Sequence, residues 1–151
     1  MKNRSRKEVK IPIRKGMPLH LKNRLDRWYM LVRFATLRSG LYGVPIYLVG
    51  SALQDDNDDP RDWDLRCRFT NQMFEVKFGS VNDFLIEAGT GMWTRVSHRW
   101  SIECVKASKK AWKETHLNVD LQIQTPEQWL QHKNSPRLRL DMRDLLLKRC
   151  G

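Results

Sequence analysis

The residues of this sequence whose types and spacing suggest chemistry are three aspartates and a glycine–serine pair. Gly50 and Ser51 come first, Asp62 and Asp64 follow in an Asp-Trp-Asp pattern, and Asp120 lies in a similar stretch further along the chain. Carboxylate oxygens are hard ligands, which suit Mg²⁺. Two metal ions about 3.5–4 Å apart can clamp the attacking and leaving oxygens of an in-line displacement at phosphorus. The pattern therefore predicts metal-dependent chemistry on a nucleoside triphosphate.

The Gly50-Ser51 pair has its own physical reason to bind phosphate. It follows the apolar run 46–49, which is typical of a short buried strand. A glycine lets the backbone approach a phosphate closely, and the serine hydroxyl and the amides after it can donate hydrogen bonds to that phosphate. This binding is stronger if residues 51–54 begin a helix. We therefore expect a strand, the Gly-Ser turn and a short helical turn in that order.

Alternation of polar and apolar residues places the aspartates on strands. In segment 62–69 the polar face carries Asp62, Asp64, Arg66 and Arg68. In segment 117–124 the polar face carries Asp120, Gln122 and Gln124. The two arginines either contact phosphates or only neutralise the aspartates. The two glutamines either orient the substrate or only hydrogen-bond the backbone.

Helical periodicity surrounds these strands. Apolar residues recur at spacings of three and four in segments 19–38, 81–88 and 93–114, and Pro126 opens a further short helix. Segment 74–78 is either another strand or the start of a short helix. This mixture predicts an α/β fold of the α+β type, in which a small mixed β-sheet is packed by helices.

Length and charge indicate how the chain is organised. Its 151 residues fit one domain. We expect a basic N-terminal arm over residues 1–18, the domain over 19–135 and a basic C-terminal tail over 136–151. The formal net charge of +11 favours an anionic partner such as a nucleic acid or a nucleotide. The arm either holds a phosphate backbone or only aids solubility.

Several other classes of protein are disfavoured by the sequence. No apolar run approaches the ~18 residues that span a bilayer, and no apolar signal core follows the basic N-terminus. The three cysteines form no Cys-x-x-Cys pair, so neither a disulfide framework nor a zinc site is indicated. Cys67 and Cys104 instead fall at apolar positions typical of a core. We therefore expect no membrane partner and a cytoplasmic location.

The residues around these motifs resemble a known superfamily. Segment 49–53 (Val-Gly-Ser-Ala-Leu) and segment 61–66 (Arg-Asp-Trp-Asp-Leu-Arg) resemble the signature of nucleotidyltransferases typified by DNA polymerase beta. The stretch from Trp100 to Gln124 is similar to the matching helix and third-carboxylate strand of small, single-domain nucleotidyltransferases from bacteria and their phages. The resemblance covers about residues 44–125.

This resemblance implies a minimal nucleotidyltransferase fold and a metal-dependent transferase. The reaction would move a nucleoside monophosphate from a nucleoside triphosphate to an acceptor hydroxyl and release pyrophosphate. Two Mg²⁺ ions would be the cofactors, with Mn²⁺ as the alternative metal. The catalytic and metal-binding residues would be Asp62, Asp64 and Asp120. The nucleotide-binding residues would be Gly50, Ser51 and, on the carboxylate face, Arg66.

The acceptor is left open because we expect no separate acceptor-binding domain in this chain. Its positive charge favours RNA, for example a tRNA end, ahead of a protein hydroxyl, as in nucleotidylating toxin–antitoxin systems, and ahead of a small molecule. The alternative function is a non-catalytic protein that binds nucleic acid or a partner protein on the same fold. Binding that ignores Mg²⁺, and is unchanged when Asp62 and Asp64 become Asn, would favour that alternative.

Overall fold

The structure covers most of the predicted domain. The computed structural model describes residues 17–41, 43–54, 59–90, 95–141 and 143, except the side chains of 86–90. The predicted N-terminal arm lies outside these residues apart from positions 17 and 18, and so does most of the predicted C-terminal tail.

Helices and strands follow one another as a mixed set. The strands are β1 (Ile46–Val49), β2 (Trp63–Arg68), β3 (Val119–Gln124) and β4 (Arg137–Arg139). The α-helices are α1 (Leu19–Asn23), α2 (Leu25–Arg33), α3 (Asn71–Lys77), α4 (Val81–Thr90), α5 (Arg95–Thr115) and α6 (Pro126–Gln131). A π-helical turn (Phe34–Arg38) continues α2, and a 3₁₀ turn (Gly50–Leu53) follows β1.

The strands form one four-stranded mixed sheet in the order β3-β2-β1-β4. β1 is antiparallel to both β2 and β4, whereas β2 and β3 are parallel. A parallel pair needs a long crossover, and α3, α4 and α5 supply it. The expected α+β class, with a small mixed sheet packed by helices, is therefore confirmed.

One local prediction needs correction. Segment 19–38 is not one helix, because Arg24 leaves the helical region (φ −130°, ψ 65°) and separates α1 from α2. Its guanidinium instead bonds the carboxylate of Asp26. Beyond residue 135, β4 pairs with β1 at the edge of the sheet. Segment 74–78 is helical, and the hydroxyl of Thr70 caps α3 by accepting from the amide of Met73.

The two faces of the sheet have opposite character. On β2 the residues Trp63, Leu65 and Cys67 are almost completely buried, and they join one hydrophobic cluster with Trp28 of α2 and Ala111 of α5. The alternate residues of β2, which include the aspartate and both arginines, remain half-buried or exposed. The fold therefore buries one side of the sheet and leaves its charged side accessible.

Side chains of α5 cover the outer edge of β3, which has a partner strand on one side only. The hydroxyl of Ser108 accepts from the amide of Leu121 (2.9 Å), and the sulfur of Cys104 accepts from the amide of Ile123 (3.5 Å). The indole N–H of Trp100 donates to the carbonyl of Ile123 (2.8 Å). These bonds satisfy backbone groups that would otherwise invite pairing with another chain.

The first prediction concerns this edge. Ser108→Ala leaves the amide of Leu121 without its partner, and we expect a loss of about 1–3 kcal/mol in the free energy of unfolding. Urea denaturation measures it. Ser101→Ala is the matched control, because Ser101 lies on the same helix and has no hydrogen bond to the strand among the described residues. Equal stability of the two variants would show that the hydrogen bond between Ser108 and Leu121 does not stabilise the fold.

Candidate functional site

Strand register brings two of the predicted aspartates side by side. The parallel pairing of β2 and β3 places Asp64 opposite Asp120. The antiparallel pairing of β1 and β2 places Asp64 opposite Val49, the residue just before Gly50. Asp64 is therefore the centre of the site, with the Gly-Ser turn on one side and Asp120 on the other.

Gly50 packs its backbone directly against the carboxylate of Asp64. The glycine has a φ of +77°, which L-residues with a side chain rarely adopt. The Cβ that any other residue would carry there would lie 2.7 Å from Oδ2 of Asp64. Two independent constraints thus require glycine at this position, and one of them is the carboxylate itself.

The turn after Gly50 is a single 3₁₀ turn that also contains Ser51, which is half-buried. Its shape is supported from α1, where Nε2 of the buried His20 lies 2.5 Å from the carbonyl oxygen of Ala52. The ring of His20 also packs edge-on against Trp63. The expected order of strand, Gly-Ser turn and helical turn is therefore present, although the helical part is short.

Asp62 lies next to the charged face of the sheet, directly before β2. It is exposed just before β2 begins, and its Oδ1 accepts a hydrogen bond from the side-chain amide of Asn118 (2.7 Å). Asn118 stands before β3 as Asp62 stands before β2. The sequence reasoning did not assign Asn118 a role, since only the register of the two parallel strands reveals the pair.

The pKa of Asp64 depends on its burial and on its charged neighbours. Burial is the largest cause that raises the pKa of Asp64 above its usual value. The charge of Arg66 opposes this and lowers the pKa, while the charges of Asp120 and Asp62 raise it further. Burial therefore disfavours the charged form of Asp64, which is a penalty that a bound cation would relieve.

The two arginines of β2 have different surroundings. Nη1 of Arg66 donates to the backbone carbonyls of Leu65 (2.9 Å) and Asp120 (3.2 Å), so its charge stays beside the aspartates. The guanidinium of Arg68 instead lies 5.4 Å from the ring centre of Trp129 on α6. Arg66 is thus the arginine that belongs to the carboxylate cluster.

A cleft of about 330 Å³ opens over the charged face. Gly50, Asp64 and Arg66 line one side, and Gln122 and Gln124 continue along β3. The rest of the lining comes from α6, the segment that follows it and the start of β4, and it includes Trp129, His132 and Arg137. This cleft is the space that a nucleotide would occupy if its phosphates approached Gly50 and Asp64.

Arg137 and Trp129 form the wall that sequence reasoning missed. The guanidinium carbon of Arg137 lies 4.1 Å from the ring centre of Trp129, and its Nη2 donates to the carbonyl of His132 (2.8 Å). Pro126 opens α6 as predicted, and Thr125 and Gln128 complete a capping box that fixes the helix. Arg137 reaches the cleft because β4 pairs it with Val49, and only the folded sheet reveals this pairing.

The donor set suits Mg²⁺ only in part. Among the described residues, no three His, Cys, Asp or Glu side chains come close enough to form a complete metal site. Asp64 and Asp120 nevertheless offer oxygen donors at paired positions on adjacent strands. Mg²⁺ is commonly held by one or two carboxylates together with substrate phosphates, so this pair fits a metal that arrives with a nucleotide.

Comparison with known proteins identifies no relative. The chain matches no protein-family model, no curated protein and no solved structure. Within the parts of the chain that the structure describes, every helix is too short or too polar to span a bilayer.

Proposed function

We propose that this protein is a metal-dependent nucleotidyltransferase. It moves a nucleoside monophosphate from a nucleoside triphosphate to an acceptor hydroxyl, with RNA as the favoured acceptor, and releases pyrophosphate. The observation that carries the proposal is the direct packing of the Gly50 backbone against Asp64, with Asp120 beside it. A turn that could receive phosphate thereby adjoins a pair of carboxylates.

Each part of the site has a role in this reaction. The Gly50-Ser51 turn receives the β- and γ-phosphates, which keeps the α-phosphorus near the aspartates. Asp64 and Asp120, with Asp62 directly before β2, would hold two Mg²⁺ ions, or Mn²⁺ as the alternative. When bound, the metal would neutralise the phosphate oxygens and lower the pKa of the acceptor hydroxyl.

Asp120 is exposed and lies opposite Asp64, so an acceptor can reach it beside the central carboxylate. It accepts the proton of the acceptor hydroxyl as that oxygen attacks the α-phosphorus. A bond forms between the acceptor oxygen and the α-phosphorus, and the bond from the α-phosphorus to the bridging oxygen breaks. Pyrophosphate leaves toward the Gly50 turn, where the cations of Arg66 and Arg137 favour its charge.

Arg137 provides a test of the nucleotide cleft. We expect Arg137→Leu to raise the KM for the nucleoside triphosphate about tenfold, because a phosphate loses one charge-assisted contact. Arg139→Leu is the matched control, since Arg139 belongs to the same strand but does not line this cleft. Steady-state kinetics with both variants measure the effect. Equal KM values would remove Arg137 from the nucleotide site.

Label transfer tests the proposed function and identifies the acceptor. Each nucleoside triphosphate, labelled at the α-phosphorus, is incubated with the protein, Mg²⁺ and, in turn, total RNA or total protein extract. The Asp62→Asn/Asp64→Asn double variant is the control. Label on an RNA band that the double variant loses supports the proposal in full. Label on protein alone moves the acceptor to a protein hydroxyl, and absence of label with every mixture contradicts transferase activity.

One observation favours a second candidate, a non-catalytic protein that binds nucleic acid or a partner protein on this fold. Asp62, one of the expected metal ligands, already accepts a hydrogen bond from the side-chain amide of Asn118. Such a protein would bind its partner equally well with Mg²⁺ or with a chelator, and equally well as the Asp62→Asn/Asp64→Asn variant. A strict Mg²⁺ requirement would exclude it.

A further inference from the structure

We infer that the groove between α5 and β3 binds a single-stranded RNA end, with one base stacked on Trp112 and the backbone phosphates on Lys109 and Lys113. The inference rests on the proposed function in one respect, namely that the bound end presents its hydroxyl to Asp120. The binding itself can be measured without any reaction.

The groove has the position that an acceptor site needs. It has a volume of about 620 Å³ and extends along α5 from Trp100 to Lys113, with Asp120 and Gln122 on its β3 side. Gln122 also lines the nucleotide cleft on the other side of β3. The two cavities therefore meet at β3, where Asp64 and Asp120 stand side by side. A chain lying in the groove would bring its end to Asp120, which is paired with Asp64 of the nucleotide cleft.

Trp112 is the feature of the groove that a folded monomer does not explain. Although the core of the protein is well buried, 54% of this tryptophan is exposed. Val105 lies two turns earlier on the same helix and is 49% exposed. The ring of His116 packs edge-on against the indole, with ring centres 5.9 Å apart, and so helps to hold it in place. A large, supported and exposed aromatic surface is typical of platforms on which bases stack.

The charges of the groove favour RNA over an apolar peptide. Lys109 and Lys113 lie one helical turn apart and line the groove together with Trp112. Neither lysine pairs with a carboxylate among the described residues, whereas Lys106 on the same helix pairs with Glu103. An aromatic platform between two available cations matches a sugar–phosphate chain with splayed bases. A duplex would not fit this chemistry, because its bases are already stacked.

Fluorescence anisotropy with a short, labelled, single-stranded RNA tests the inference. The full-length protein is titrated at several salt concentrations without Mg²⁺ or nucleotide. We expect Trp112→Ala to weaken binding about tenfold, as for loss of one base-stacking contact. Lys109→Ala/Lys113→Ala should weaken binding. It should also reduce the slope of log K against log salt concentration by about 0.7 for each lost phosphate contact. Trp112→Phe should retain most of the affinity, and Lys106→Ala, the matched control, should retain nearly all of it.

The outcomes separate this inference from the proposed function. If the groove variants lose RNA affinity while no nucleotide is ever transferred, RNA binding in the groove is supported and nucleotidyltransferase activity is not. If transfer to RNA occurs but the groove variants bind and react like the unaltered protein, RNA binding in the groove is contradicted and nucleotidyltransferase activity is supported. Equal affinity for single strands and duplexes, or no affinity for RNA at all, would also overturn the groove. Melting temperatures of all variants confirm that they are folded.

Discussion

Asp64→Asn is expected to reduce the rate of nucleotidyl transfer by about 10³-fold or more, because the central carboxylate of the site is lost. The amide has nearly the same shape, so the packing against Gly50 remains. In the metal-free protein the same variant should have a higher melting temperature. The carboxylate that it removes is half-buried and close to two other aspartates, and burial raises its pKa. Reduced activity with increased stability is typical of a functional site.

Single-turnover kinetics and thermal denaturation with a chelator present would measure the two effects. Asp83→Asn is the control, because Asp83 is an exposed aspartate on α4 and does not line the cleft. Residual transfer above about one tenth of the normal rate would contradict the catalytic role of Asp64. A lower melting temperature would show that the carboxylate is mainly a structural group.

The second large effect is expected for Gly50→Ala. Its positive φ alone should destabilise the protein by about 1–2 kcal/mol. The added methyl group would also displace the carboxylate of Asp64, since the new Cβ would lie only 2.7 Å from its Oδ2. We therefore expect transfer to fall about 10²-fold, as for a displaced catalytic group.

Gly43→Ala separates these two causes. Gly43 has a φ of +75°, nearly that of Gly50, but an added Cβ there would meet nothing within 4 Å. We expect Gly43→Ala to lose similar stability and to keep its activity. Urea denaturation and transfer rates, measured on both variants, make the comparison. If both variants lost activity equally, the contact between Gly50 and Asp64 would have no functional importance.

Local pattern was sufficient to predict the central strands. Alternation in segments 62–69 and 117–124 indicated which residues of β2 and β3 share a face, and the apolar run 46–49 indicated β1. The two cysteines predicted for the core, Cys67 and Cys104, are both buried. These features depend on neighbouring residues in the chain, and burial of one sheet face imposes a period of two on them.

The remaining parts of the site depend on long-range pairing. β4 has only three residues, which is too short for a periodic signal, and its contribution of Arg137 follows from its register with β1. The hydrogen bond between Asp62 and Asn118 likewise follows from the register of two parallel strands. At Arg24 the helix break accompanies an exposed ion pair with Asp26, and the apolar spacing on both sides continues across it. No pattern of spacing in one segment contains this information.

The most direct test of the central claim distinguishes which phosphorus atom is transferred. Two parallel reactions would contain Mg²⁺, the RNA fraction and one nucleoside triphosphate, labelled at the α-phosphorus in one reaction and at the γ-phosphorus in the other. Nucleotidyl transfer predicts that the α-label appears on RNA and the γ-label in pyrophosphate, with both signals lost in Asp62→Asn/Asp64→Asn. Transfer of the γ-label to RNA would contradict it, and so would transfer of neither label by the folded protein to RNA or to added protein extract.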